Sequence, residues 1–143
     1  MTAVTPSCPR ILYVEDSAAD ADLMRRALEA AGKPFSLTVL NDGQAALDLV
    51  RSGSPPLPDV IVLDVKLRAV DGLTVLAEMK SNTRWQKIPV LVFAAPQDPN
   101  ALQATKLAAD LCCAKPMDWS GWPGLAESVR GLSLRSDKNR AIS

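Results

Sequence analysis

Five short apolar runs punctuate the chain, at residues 11–14 (ILYV), 37–40 (LTVL), 60–63 (VIVL), 90–93 (VLVF) and 111–114 (LCCA). They are mostly aliphatic or β-branched and none alternates strictly between apolar and polar, so they predict strands buried on both faces. Between and after them, apolar residues recur at helical spacing, which predicts helices over 18–31, 44–52, 73–81, 100–109 and from 119 to about 131. Local chemistry agrees with the periodicity. Ser17, Asp42, Asp71 and Asp98 stand where N-caps belong, Pro99 takes a first-turn position, and Gly32 and Gly53 follow as C-cap glycines. Strand and helix alternate five times with short connections. That order predicts an α/β fold, a parallel sheet with helices on both faces, because right-handed crossovers place them there.

Two stretches fit the pattern less well. The last helix opens WSGWPGL, and Gly121, Pro123 and Gly124 in its first turns predict a distorted start. From Gly131 the chain loses periodicity and becomes polar, which reads as a solvated tail. The expected organisation is an N-terminal extension at 1–9, one domain at 10–132 and a flexible tail at 133–143. The SPPLP stretch at 54–58 reads as a stiff turn into the third strand.

Length and charge narrow the function. With 143 residues there is room for one core and not for a second catalytic or DNA-reading domain. Sixteen basic and sixteen acidic residues cancel, which argues against nucleic acid and against a polybasic membrane anchor as partners. No apolar run approaches the roughly 20 residues that span a bilayer, and the start MTAVTPSCPR lacks the apolar stretch of a signal peptide. A cytoplasmic protein with reduced thiols is expected. The absence of histidine removes the commonest general base, the commonest zinc ligand and phosphohistidine chemistry on this chain.

In open parallel α/β sheets ligands bind beyond the carboxyl ends of the strands. The residues that end the runs here are Glu15-Asp16 after the first, Asp64 after the third, Ala94-Ala95 after the fourth and Lys115-Pro116 after the fifth. Three carboxylates and an ammonium thus converge on one edge. Crowded carboxylates hold a proton or a cation, and oxygen ligands without histidine suit a hard ion such as Mg²⁺. A magnesium ion beside a carboxylate nucleophile and a lysine is equipment for phosphoryl transfer through an aspartyl phosphate.

The successive motifs ILYVEDS, DVIVLDVKLRAVDGLTVL, IPVLVFAA and AKPMDW resemble those of the response-regulator receiver family, from about Ile11 to Leu132. The resemblance implies a flavodoxin-like doubly wound (βα)5 sandwich with a five-stranded parallel sheet of order 2-1-3-4-5. It implies that Asp64 accepts phosphate from a sensor histidine kinase, that Asp16 and Glu15 bind Mg²⁺ with Asp64 and the Lys66 carbonyl, that Lys115 pairs with the phosphoryl group, and that Pro116 follows a cis bond. The chain then acts as a single-domain response regulator signalling by contact with a downstream protein target or phosphotransfer protein. Its ILYVEDSAADADLMRRAL opening, the separate SPPLP turn and the bare domain further resemble the single-domain receivers that partner phytochrome-type kinases. A homodimer through the face of the fourth helix, fifth strand and fifth helix also fits a receiver without an effector.

Departures from the family pattern bear on the switch. Ala94 stands where receivers carry a Thr or Ser that bonds the phosphoryl group, and Cys112 stands where a Tyr or Phe swings inward. Arg68 replaces a usual Pro, and Lys66 and Pro96 flank the site where receivers set their dephosphorylation rate, which implies an altered phosphate lifetime. These departures motivate the alternative of a degenerate receiver acting as a phosphate-independent adaptor. A phosphatase of another α/β family lacks support, since no GxxxxGK loop is present. Asp71, before Gly72 and a helical pattern, reads as an N-cap. Cys112 and Cys113, adjacent on a strand, point to opposite faces and read as core fillers rather than a redox pair. Trp119 and Trp122 read as packing at the start of the last helix.

Overall fold

The computed structural model describes residues 8–53 and 55–142. Five strands, β1 (Arg10–Val14), β2 (Ser36–Leu40), β3 (Val60–Asp64), β4 (Val90–Phe93) and β5 (Leu111–Cys113), alternate with five helices, α1 (Ala18–Ala30), α2 (Gly43–Ser52), α3 (Gly72–Ser81), α4 (Pro99–Lys106) and α5 (Trp122–Ile142). All strand pairs are parallel, in the order β2-β1-β3-β4-β5, as the resemblance implies. The chain has a flavodoxin-like doubly wound fold.

Strand periodicity sorts the core into two layers. Leu12, Val14, Ile61, Leu63, Val90 and Val92 face one side and pack on α2, α3 and α4 through residues such as Leu47, Leu76 and Ala104. Ile11, Tyr13, Val60, Val62, Leu91 and Phe93 face the other and pack on α1 and α5 through Met24, Leu28, Trp122 and Val129. The central strands β1, β3 and β4, buried on both sides, have no polar alternation to show, whereas β2 and β5, expected to be buried too, are only partly covered because they form the edges of the sheet. Cys112 joins the first layer and Cys113 the second, so the adjacent thiols lie on opposite faces, and both are free.

The capping residues act as their positions require. Ser17, Asp42, Asp71 and Asp98 accept from the backbone N–H of Asp20, Ala45, Thr74 and Asn100, respectively. Gly53 closes α2 in the left-handed region at φ +66°. In α1, Ala31 is the C-cap and Gly32, at φ +70°, follows it. The fourth helix ends at Lys106, short of the expected 109, because Ala108 turns the backbone to φ +69°.

Two further expectations are corrected. The distorted start of the last helix is a 3-10 turn over Trp119–Gly121, as expected, but α5 then runs to Ile142, past the expected end near 131. Beyond Gly131 that segment holds no helix breaker, and Leu132 and Ser133 are buried, so polarity alone does not end it. The Lys115–Pro116 bond is trans; the cis bond among the described residues is Pro55–Pro56. Trans is the lower-energy X-Pro isomer and nothing in the local sequence overrides it. Of the expected extension at 1–9, residues 1–7 lie outside the described residues.

Candidate functional site

Strand register assembles the site. Val14 pairs with Leu63 across β1 and β3, so the residues that follow, Glu15 and Asp64, stand side by side. Asp64 pairs with Phe93 and Phe93 with Cys113, which brings the chain after β5, and with it Lys115, to the same edge. Both carboxylates are buried, Glu15 at 1% and Asp64 at 7% exposure. The Glu15 N–H is anchored on the Leu40 carbonyl at 2.8 Å, tying the end of β1 to β2.

Lys115 is the hub. Its Nζ lies 2.7 Å from Glu15 Oε1, 2.8 Å from Asp20 Oδ2 and 2.9 Å from Asp64 Oδ2. Three N–H donors therefore meet three carboxylates. The ammonium also sits 5.8 Å from the centre of the Phe93 ring, which is in edge contact with Tyr13 and Trp122. Glu15 is held further by the Tyr13 hydroxyl, which donates to Oε1 at 2.7 Å, and by the Ser17 N–H, which donates to Oε2 at 3.2 Å.

The electrostatics follow from burial against pairing. Burial pushes the Glu15 carboxyl above its usual value, and the charge of Asp64 adds to the rise, while bonds from Lys115 and Tyr13 oppose it. Burial works against the Lys115 ammonium, but bonds to Asp20, Glu15 and Asp64 outweigh it and raise its pKa. Tyr13 is raised strongly, first by burial and then by its bond to Glu15, so it stays a donor.

Glu15, Asp16 and Asp64 each offer a carboxylate oxygen, all within 4.8 Å of one another. An all-oxygen donor set of that size fits a hard divalent cation. Arg68 reaches Asp16 at 3.6 Å from the exposed side. The Lys66 N–H donates to Asp64 Oδ1 at 3.1 Å, fixing the carboxylate plane. Gly72 fits under the Asp64 backbone, where a Cβ would overlap the Asp64 carbonyl oxygen and crowd Val65 Cα. Its N–H donates to the Val65 carbonyl at 2.8 Å, closing the loop after β3.

A cleft of about 400 Å³ opens beside Asp64, lined in part by Lys66, Ala94, Ala95 and Lys115. Ala94 is buried at its wall and brings no hydroxyl. Cys112 faces away toward α4, with Sγ 3.8 Å from both Thr105 Oγ1 and the Ala101 carbonyl. The structure thus gathers Glu15, Asp16, Asp64, Lys66, Ala94 and Lys115 at one edge and leaves Cys112 behind the sheet. Asp71 is the N-cap of α3, as its sequence context indicates. Trp122 is core, whereas Trp119 is 45% exposed.

Sequence reasoning missed two site residues. Tyr13 was findable: it lies two positions before Glu15, on the same strand face. Asp20 carries no such signal, since only the docking of α1 brings its carboxylate to Lys115.

Residues 11–121 match the response regulator receiver domain family. The probable methanogenesis regulatory protein FilR2 of Methanothrix harundinacea (strain 6Ac) is 34% identical over 84% of this chain and 80% of its own. Response regulator Rcp1 of Synechocystis sp. (strain PCC 6803) is 39% identical over 58% of this chain and 59% of its own length. Among solved structures, the phosphorylated cyanobacterial phytochrome response regulator RcpA superposes with a TM-score of 0.80 at 27% identity, covering 90% of this chain and 95% of that one. The Mn²⁺-bound form of Rcp1 does so with a TM-score of 0.76 at 28% identity, covering 86% and 92%. With this fold and a family match that spans residues 11–121, the chain belongs to the response regulator receiver domain family of two-component signalling.

Proposed function

We propose that this receiver takes a phosphoryl group from a histidine of a sensor kinase onto Asp64, dependent on Mg²⁺, and signals by contact with a downstream protein. One observation carries the reading: Asp64 stands 2.9 Å from Lys115 and within 4.8 Å of the Glu15 and Asp16 oxygens, at the mouth of an open cleft. Glu15, Asp16, Asp64 and the Lys66 carbonyl are the groups to hold Mg²⁺, which supplies charge neutralisation for phosphoryl oxygens. An Asp64 oxygen bonds to phosphorus as the donor's bond to phosphorus breaks, and the donor leaves with that electron pair. Lys115, freed from Asp64, takes a phosphoryl oxygen. Because the relatives include the phytochrome response regulator RcpA, the partner kinase is assigned to the phytochrome type.

The domain is assigned to residues 10–132 and a cytoplasmic setting; no helix among the described residues is long and apolar enough to cross a membrane. Leu102 on α4, Leu111 on β5 and Leu134 on α5 are all exposed, which supports homodimerisation through these three elements. Sedimentation as a monomer at high concentration, with and without a phosphoryl mimic, would remove that part of the reading.

Intact-mass measurement with a small acyl-phosphate donor tests the central claim. A Mg²⁺-dependent adduct that is absent in Asp64→Asn supports it. No adduct from either the small donor or a cognate kinase, with partner binding preserved in Asp64→Asn, favours the phosphate-independent adaptor suggested by Ala94 and Cys112.

A further inference from the structure

Asp20 lies beyond the ILYVEDS motif, yet its carboxylate lies 2.8 Å from Lys115 Nζ, as close as those of Glu15 and Asp64. It is held there by the start of α1, where its own N–H is bonded to the capping Ser17 hydroxyl at 3.2 Å. The three partners of Lys115 are not equivalent. Glu15 and Asp64 belong with Asp16 to the group able to hold a cation, and Asp20 does not. A cation bound there draws on the charge of Glu15 and Asp64, and phosphorylation converts the Asp64 carboxylate into an acyl phosphate, a mixed anhydride. Asp20 is then the one counter-ion of Lys115 whose charge is undivided.

We infer that Asp20 is a positioning residue for phosphoryl transfer: it anchors the Lys115 ammonium in place while one of its N–H groups passes from Asp64 to the incoming phosphoryl group. This rests on the reading of Asp64 as phosphoacceptor. An ammonium on a flexible four-carbon stem gains precision from a second fixed anchor, and such precision acts on the rate of the chemical step rather than on metal binding. At 28% and 27% side-chain exposure, the pair is sheltered enough to hold its geometry.

The test follows the rate of adduct formation by intact mass, with a small acyl-phosphate donor and a Mg²⁺ titration, in wild type, Asp20→Asn and Asp20→Ser. Both substitutes suit the first turn of a helix, so folding is retained and is checked by thermal melting. The maximal rate is expected to fall about tenfold while the half-saturating Mg²⁺ concentration stays within about twofold. In a Lys115→Ala background, read over hours so that slow rates remain measurable, Asp20→Asn is expected to change the rate less than about twofold.

A shifted Mg²⁺ dependence with an unchanged maximal rate overturns the inference, since Asp20 would then act on the cation through its field. So does an equal loss in both backgrounds. A wild type that forms the Asp64 adduct beside an indifferent Asp20→Asn overturns this inference alone, whereas a wild type with no adduct overturns the phosphoacceptor reading on which it rests.

Discussion

Tyr13 and Glu15 leave β1 on the same face, and the buried Tyr13 hydroxyl donates to Glu15 Oε1 at 2.7 Å. This bond favours the ionised carboxylate and opposes the upward push of burial on Glu15. Tyr13→Phe therefore raises the Glu15 pKa further. A divalent cation needs the ionised form, so loss of Mg²⁺ on acidification sets in at higher pH in the variant, as titration calorimetry at several pH values would show. An unchanged profile counts against Glu15 as a ligand. Because the folded-state value lies above the ordinary one, the contribution of Glu15 to metal-free stability is present below pH 4.5 and is lost as pH rises through the folded value.

Removing Lys115 leaves Glu15, Asp20 and Asp64 facing one another without their ammonium. Lys115→Ala is expected to lower the stability of the metal-free protein by about 1–2 kcal/mol, discounted for partial exposure, with part of the deficit recovered in Mg²⁺. Urea denaturation with and without the ion measures both. The Lys115 pKa is raised, so its contribution is fully present below 10.5 and lost as pH rises through the higher folded value. The gap between wild type and variant therefore persists through neutral pH; a gap that closes by pH 9 contradicts the ion-pair account.

Gly72 sits against the peptide of Asp64, and what a Cβ would meet is backbone, which cannot swing aside. Gly72→Ala is expected to cost about 2–4 kcal/mol and to slow adduct formation at Asp64 even where the protein remains folded. A loss of stability with a normal phosphorylation rate would show that the loop relaxes without moving the acceptor.

Lys66 lies two residues past Asp64 at the cleft, a cation next to the future acyl phosphate. Lys66→Asn replaces it with a neutral group able to orient water, so the adduct is expected to decay at least about threefold faster after donor removal. Decay at the wild-type rate would show that Lys66 does not set the lifetime.

The sheet was legible because its three central strands are buried on both faces and its two edge strands keep aliphatic residues, so all five appear as short apolar runs between capped helices. Glu15, Asp16, Asp64 and Lys115 were legible for a related reason: each is the charged residue at which an apolar run stops or soon after. Asp20 was not, because its five-residue separation from Glu15 matches no strand or helix face shared with the site. The continuation of α5 was hidden by polar residues that solvate a helix as readily as a tail. The Lys115–Pro116 bond keeps the ordinary trans isomer, and the expectation of cis came from the resemblance and not from the residues themselves.

The pairing of Val14 with Leu63 has a thermodynamic consequence. Glu15, Asp64 and Lys115 come from segments far apart in sequence, and only correct strand registration joins them, so an unfolded chain offers a ligand none of the site. A slip of one residue would turn Leu63 into the opposite core layer, where it does not fit, and carry Asp64 off the edge. Occupancy of the site by a cation or a phosphoryl mimic is thereby linked to the native state and raises its stability by RT ln(1 + [L]/Kd). Melting temperature against ligand concentration then becomes a binding isotherm, and signalling state and fold stability are two readings of one equilibrium.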